Sequence, residues 1–239
     1  MIRSGSIGRY WANTTAYILF PYKVTKTSAT LLTTEELQSK YPLAWAYLEK
    51  NKKHLQNREK GGFKDLHWYR FGRNQNLGMW EQSKLLIPYM VTDLSAYYDA
   101  GDNYYFINVT TGGYGITSDE SKGSYFYLCG LLNSRLLNFV LKQVSTTFHG
   151  GYFAANKQYI EQLPIRTIDF NERAEKSAHD KIVALVESML ALHKSLALAQ
   201  SPVEKERLEK QIKSTDEGID KLVYDLYGLN QEEIRIVES

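Results

Sequence analysis

Apolar and polar positions follow three successive patterns along this chain. Residues 11–24 read as extended. Within them Ala16-Tyr17-Ile18-Leu19-Phe20-Pro21-Tyr22 is an aromatic and β-branched run suited to a buried strand, with Pro21 at its end or on an edge. A helical stretch follows. Thr33 and Glu36 have capping-box spacing, Pro42 opens a second helix, and Trp45, Leu48, Lys52 and Leu55 recur at helical intervals until Gly61-Gly62 breaks the pattern just beyond Arg58. Residues 66–116 turn to β patterning. Residues 67–71, 84–89 and 97–99 are strand candidates, residues 100–103 a turn, residues 104–109 the returning strand, and residues 111–115 a glycine-rich turn. Residues 123–144 are amphipathic and predict one helix, residues 145–157 a polar loop, and Leu163-Pro164-Ile165 a short extended stop.

The last 70 or so residues change character. Apolar residues at 178, 182, 185, 186, 189, 192 and 196 form one helical stripe. Ser201-Pro202-Val203-Glu204 then combines an N-cap, a proline at the first position and a capping-box glutamate, and the second helix stops at Gly228. Asn230 and Glu233 cap a final short helix. These elements predict an α+β fold: a twisted mixed β-sheet with flanking helices, plus a C-terminal antiparallel helical hairpin. The change of pattern divides the chain into residues 1–168 and residues 169–239.

Composition narrows the class. The 239 residues, 43% hydrophobic and 23% charged, suit a globular protein with a real core. No apolar run approaches the ~18–20 residues that span a bilayer, and the start lacks a signal peptide's apolar centre, so the expected setting is the cytoplasm without a membrane partner. One cysteine, Cys129, lies in an apolar stretch and reads as an inert core residue. The net charge of +2 hides an asymmetry: residues 1–168 hold 19 Lys and Arg against 12 Asp and Glu, while residues 169–239 hold 10 against 15. A basic body with an acidic tail suits a polyanionic partner; a solvated face with no partner has the same charges.

Catalytic signatures are missing. Gly112-Gly113-Tyr114-Gly115 lacks the lysine and following helix of a phosphate loop, and the five histidines show no metal spacing. Two polar segments carry candidate chemistry instead. In Arg70-Phe71-Gly72-Arg73-Asn74-Gln75-Asn76, the residues Arg70, Arg73, Asn74 and Gln75 are of the types that bridge two atoms of a base edge, Arg on guanine and Asn or Gln on adenine. The segment Ser145-Thr146-Thr147-Phe148-His149-Gly150-Gly151-Tyr152 offers hydroxyls and backbone amides to phosphates, with candidates Ser145, Thr146, Thr147, His149, Gly150 and Tyr152. Lys50, Lys52, Lys53 and Lys60 would hold phosphates without choosing a sequence. Each segment is equally consistent with a plain polar loop.

The order of several soft motifs resembles the TaqI-like C-terminal specificity domain, which follows the catalytic domain in adenine-specific DNA methyltransferases and type IIG restriction–modification enzymes. Tyr17-Ile18-Leu19-Phe20-Pro21-Tyr22 is similar to the family's opening strand. Tyr41-Pro42-Leu43-Ala44-Trp45, with Leu55-Gln56-Asn57-Arg58, resembles its first long helix. Trp68-Tyr69 and Lys84-Leu85-Leu86-Ile87-Pro88 resemble two of its strands, Gly130-Leu131-Leu132-Asn133-Ser134 a later helix, Gly150-Gly151-Tyr152 its closing loop, and residues 219–229 its terminal helix.

The resemblance implies a domain that supplies DNA sequence specificity, with double-stranded DNA as one partner. The other would be an N-terminal methyltransferase domain of the same protein or a separate catalytic subunit. It implies no cofactor in this segment, S-adenosylmethionine in the catalytic domain, and Mg there if the parent also cleaves DNA. No Pro-Pro occurs, so the Asn-Pro-Pro-aromatic methyltransferase motif is absent, and no nuclease site is evident. The segment therefore reads as non-catalytic, and the abrupt start at Met1-Ile2-Arg3 suggests a piece of a longer chain. The alternative is a protein–protein interaction or scaffolding module.

Overall fold

The computed structural model describes all residues except 2, 15, 26–27, 102–103, 107–111 and 119–123. The chain forms two compact units, one comprising Met1–Ala16 and Ser83–Ser239, the other Tyr17–Gln82. The first opens with a small antiparallel pair, β1 (Ile7–Gly8) and β2 (Trp11–Ala12).

The unit of residues 17–82 begins with residues 17–21 outside any regular element. The buried strand expected there is not formed: Tyr17 is fully exposed, and Pro21 has no N–H to give a ladder. Pairing starts one residue later, between β3 (Tyr22–Val24) and β4 (Ala29–Leu31), with Tyr22 opposite Leu31. Helix α1 (Thr34–Lys40) has the capping box expected of Thr33 and Glu36, and Pro42 is the first residue of α2 (Pro42–Lys50). The single helix expected up to Arg58 is cut at Asn51 and Asn57 into α2, α3 (Lys52–Gln56) and α4 (Arg58–Gly61), the last distorted by left-handed φ at Glu59 and Lys60. Residues 67–71, expected as a strand, form turns. Trp68 and Tyr69 are buried with Leu37 and Leu48, and Trp45 packs on both aromatic rings.

In the other unit, β5 (Lys84–Pro88) is buried at every position and forms the centre of a three-stranded antiparallel sheet, between a strand at Tyr97–Asp99 and one at Gly113–Ile116. Strand β6 (Met90–Val91) follows, then β7 (Tyr97–Asp99) and β8 (Gly113–Ile116). The glycine-rich turn expected at 111–115 is thus partly strand β8. Gly113 lies opposite Pro88, and a Cβ there would stand 2.0 Å from the Ile87 carbonyl oxygen, so the close approach of the two backbones requires glycine. The returning strand expected at 104–109 lies in part outside the described residues, as does the 100–103 turn.

The single helix expected over residues 123–144 is two, because Ser134 ends one and caps the next. Its backbone is extended, and its hydroxyl accepts from the Leu137 amide and donates to the Leu131 carbonyl. Helix α5 (Tyr125–Asn133) is buried along most of its length; α6 (Arg135–Val144) keeps one polar face. Residues 145–157, expected as a loop, contain a hairpin of β9 (Thr147–Phe148) and β10 (Tyr152–Ala154), with β10 also paired to β6, and begin α7 (Lys157–Ile160). The helical hairpin is as expected: α8 (Arg173–Leu198) packs along α9 (Pro202–Tyr227), which ends on left-handed Gly228, and the Asn230–Glu233 box caps α10 (Gln231–Glu238). Ser201 occupies the N-cap of α9 without a side-chain bond, so Pro202 rather than a capping box marks that start.

Ile182, Val186, Ile219 and Val223 of the hairpin join β5 and α5 in one core. The α+β class is borne out, with the strands in small antiparallel sheets. Cys129 is fully buried, and burial pushes its thiol up to about 12, which keeps it protonated and inert.

Several polar groups inside this core have partners, although the buried Tyr10 hydroxyl has no hydrogen bond among the described residues. Lys84 lies opposite Asp99 in the β5–β7 register, their charged atoms 2.5 Å apart and both side chains almost wholly buried. Asn133 exchanges two hydrogen bonds with the Ala96 backbone. Asp220 of α9 accepts the Arg135 amide at 2.8 Å, which caps α6 from another helix, and Arg9 joins Asp216 to the Asn133 carbonyl.

Two consequences are measurable. Lys84→Met leaves Asp99 buried without its counter-charge and should cost about 3–5 kcal/mol, whereas Lys84→Met with Asp99→Leu should recover most of that loss. Denaturant midpoints of the three proteins check this. Burial, aided by the Asp216 charge and opposed by the Arg135 amide, pushes the Asp220 carboxyl up to about 6. The unfolded chain releases that proton near the ordinary value of about 3.9, so the folded state binds more protons between about 4 and 6 and Asp220 makes stability fall as pH rises through that window. Asp220→Asn should therefore gain on the parent as pH goes from about 5 to about 7.5; a pH-independent difference in urea midpoints would contradict the assignment.

Candidate nucleic-acid interface

The unit of residues 17–82 holds eleven Lys and Arg against six Asp and Glu, an excess larger than the net +2 of the whole chain. The positive charge of the protein therefore resides there. Within this unit, residues 67–71 form a platform fastened by side chains instead of a strand ladder. Arg58 donates to the carbonyls of Leu55, Trp68 and Arg70 at 2.8–2.9 Å, and its guanidinium lies 4.3 Å from the centre of the Phe63 ring. The Tyr69 hydroxyl donates to the Leu32 carbonyl, and the Phe71 amide donates to the Tyr22 hydroxyl, beside a cluster of Phe20, Tyr22 and Phe71 rings. Glu59 reaches Gly72, where a Cβ would stand 2.8 Å from its carboxylate.

Beyond Gly72 the fastening stops. Arg73, Asn74 and Gln75 are exposed, and none has a hydrogen bond or ion pair among the described residues. Asn76 then takes a left-handed φ of 59°, and the 3₁₀ turn Leu77–Met79 returns the chain to the interior. Three side chains able to read base edges thus project from an immobilised base, a geometry in which little side-chain freedom beyond their own is lost on binding.

Arg70, grouped with these three in the sequence, is placed differently. Its guanidinium donates to Asp65 at 2.5 Å and to the His67 carbonyl at 3.0 Å, and lies 4.6 Å from the Phe63 ring centre. The hydrogen bond from Arg70 holds the Asp65 carboxyl below its ordinary value. Among the lysines, Lys52 pairs with Glu49 at 3.1 Å and sits 5.0 Å from the Trp68 ring centre, whereas Lys50, Lys53 and Lys60 are exposed and unpaired among the described residues. Lys60 sits in the left-handed stretch with Glu59 and Gly61. Arg58, which organises the platform, is marked in the sequence by its place at a helix end and in the Leu55-Gln56-Asn57-Arg58 motif, neither of which shows this role.

The second candidate segment belongs to the other unit. Ser145 donates to the Ala154 carbonyl at 2.8 Å and the Thr146 hydroxyl meets that of Tyr159, so these two close the base of the β9–β10 hairpin. Thr147, His149, Gly150 and Tyr152 lie at its exposed end, where Gly150 and Gly151 make the turn with φ of 83° and 77°. Arg3 and Tyr152 share the lining of a depression of about 450 Å³ floored by Pro88 and Met90. Arg3, not singled out in the sequence, has no side-chain partner among the described residues.

One further surface is open. Tyr17, Leu19, Leu43 and Tyr47 line a groove of about 670 Å³ in the unit of residues 17–82, with Asn51, His54 and Arg58 at its polar positions. Among the described residues no cluster of three or more His, Cys, Asp or Glu could hold a metal, and no helix is long and apolar enough to cross a membrane.

Residues 29–165 match the TaqI-like C-terminal specificity domain. The chain is also 24% identical over 234 residues to the Type II restriction enzyme and methyltransferase RM.Eco57I of Escherichia coli, an alignment covering 94% of this chain and 23% of that protein. The chain thus spans about a quarter of the length of the curated relative it matches.

The contrast between fastened and free arginines gives a direct expectation. Arg58→Ala should destabilise its unit by on the order of 2 kcal/mol or more, because three carbonyls lose a charged donor, and amides of residues 66–72 should exchange faster with solvent. Arg73→Ala should stay within about 0.5 kcal/mol of the parent, with unchanged exchange in that segment. Amide exchange of the two variants separates the roles.

Proposed function

The chain belongs to the TaqI-like C-terminal specificity domain family, and from that premise we propose that it reads the target sequence for a DNA-modifying enzyme whose chemistry is done outside these residues. The observation that carries this reading is the Arg73–Asn74–Gln75 tip: unpaired base-reading side chains on a fastened platform, in the unit that holds the positive charge. In this reading Arg73, Asn74 and Gln75 contact base edges in a groove of double-stranded DNA. Lys50, Lys53 and Lys60 hold phosphates, and Lys52 supports the same surface from beside Trp68. Arg70 acts mainly by shaping the platform. The β9–β10 end, with Thr147, His149, Gly150 and Tyr152, is a second contact, and Ser145 and Thr146 fix its base.

The parent enzyme, by analogy with the Escherichia coli relative, is a methyltransferase of a restriction–modification system, of type IIG where cleavage and methylation share one chain. S-adenosylmethionine is then bound by the catalytic part, with Mg there if the parent cleaves DNA. The setting is the cytoplasm, where such an enzyme meets its DNA. A reading as a protein-interaction module draws on the open apolar groove of Tyr17, Leu43 and Tyr47; partner binding that ignores salt, without DNA affinity, would favour it.

Substitution in the enzyme that carries this chain tests the reading. Arg73→Ala or Asn74→Ala should lose about 1–3 kcal/mol of discrimination at one base pair, visible as relaxed methylation at one position of the target. Lys50→Ala and Lys53→Ala should instead weaken binding to all sequences and each lower the salt slope by about 1. Unchanged site choice in both tip variants would remove Arg73 and Asn74 as readers.

A further inference from the structure

The end of the β9–β10 hairpin combines features that a phosphate-binding loop does not need. Phe148 and Tyr152 are directly opposite in register, so their rings leave the ribbon on the same face. They are 39% and 42% exposed, and among the described residues neither has a ring contact or side-chain hydrogen bond. Only His149, Gly150 and Gly151 separate them. The ribbon behind them is held firmly: Ser145 closes it onto Ala154, β10 pairs with β6, and the Ala155 amide donates to the Tyr89 carbonyl at 2.8 Å. On the opposite face Phe153 is half-buried beneath the Lys142 ammonium. Two apolar rings are thus presented at the free end of a rigid two-stranded ribbon.

Charge also fits a polyanion. Residues 143–160 contain no Asp or Glu and a single basic residue, Lys157, so nothing there repels phosphate and little there grips it. Arg3 lines the same depression as Tyr152 and has no side-chain partner among the described residues; the one carboxylate on that lining, Asp93, is held by Lys142 and Asn138. A two-stranded ribbon fits a groove of duplex DNA, and exposed apolar side chains brought to the base pairs enter between them as wedges.

We propose that the β9–β10 end is an aromatic wedge: Phe148, with Tyr152 beside it, stacks on a base step of the bound duplex while Arg3 holds an adjacent phosphate. This rests on the reading of the chain as a DNA-recognition domain and adds to it a mode of contact and two residues, Phe148 and Arg3. Stacking tolerates any base, so the wedge sets the register and deformation of the duplex while the Arg73–Asn74–Gln75 tip chooses bases.

The test uses the full 239-residue chain and a duplex pool with a randomised centre in which 5-bromouracil replaces thymine. Photocrosslinking followed by peptide mapping should recover the peptide containing Phe148 and Tyr152. Phe148→Ala should abolish that crosslink and weaken binding roughly ten-fold, while Phe148→Trp restores both. Because the site is exposed, melting temperatures should match the parent. Arg73→Ala should lower affinity yet keep the crosslink. If Phe148→Ala binds and crosslinks like the parent, the wedge is wrong while the DNA-recognition reading stands. If the parent retains no duplex at low salt, the DNA-recognition reading fails and the wedge falls with it.

Discussion

Helix α5 is buried on both sides, and the larger unit is arranged around that fact. One side rests on β5 and β7; the other meets α8 so closely that a Cβ on Gly130 would stand 2.8 Å from an Ile182 methyl carbon. A helix that is apolar around most of its circumference gains nothing from facing water, so it requires a cover on each side. The sheet supplies one cover and the C-terminal hairpin the other. The hairpin's apolar stripe therefore completes the core that β5 begins, and Ile182, Val186, Ile219 and Val223 share that core with Leu85 and Leu131.

The same demand explains the buried polar groups. Closing α5 between two layers traps the junction with α6, where the chain must turn and expose backbone groups. Ser134 and Asp220 satisfy them from two directions, the hydroxyl within the turn and the carboxylate to the first amide of α6, while the Asn133 side chain ties the junction to the Ala96 backbone. Lys84 and Asp99 do the equivalent across the sheet. Replacing such groups with apolar ones of similar shape is often neutral or stabilising, whereas removing one partner alone leaves an uncompensated buried charge. The Asp220 carboxyl, driven up to about 6 by burial, carries the cost of that arrangement into the neutral pH range.

Both candidate contact regions follow one design in which a fastened base carries a free end. Arg58, Tyr69 and Tyr22 hold residues 67–71, after which Arg73, Asn74 and Gln75 have no partner among the described residues. Ser145 and Thr146 hold the β9–β10 base, after which Phe148 and Tyr152 stand exposed. By residue type alone Arg70 belongs with Arg73, and Ser145 with Thr147. Residue type states what a side chain can bond to; it does not state whether the protein already occupies it. Phe148 carries no signal in the sequence for a related reason: an aromatic ring is more often core than contact.

Some of this protein was decided by the sequence alone because its causes are local. The Thr33–Glu36 and Asn230–Glu233 caps, the start at Pro42, the stop at Gly228 and the two-helix hairpin depend on bonds and dihedral preferences within a few residues. The apolar run at 84–88 is a strand for the same reason. The order of motifs along the chain was equally legible, and with it the family. Tertiary structure alone decided the rest, because its causes lie far apart in the chain. Residues 67–71 have strand-like composition but are held in turns by Arg58, Tyr69 and Tyr22. The glycines at 113 and 115 become strand because Ile87 approaches too closely for a side chain at Gly113. Met1–Ala16 folds with residues 83–239 through contacts such as that of Arg9 with Asp216, a partner 207 positions away, which no local pattern encodes.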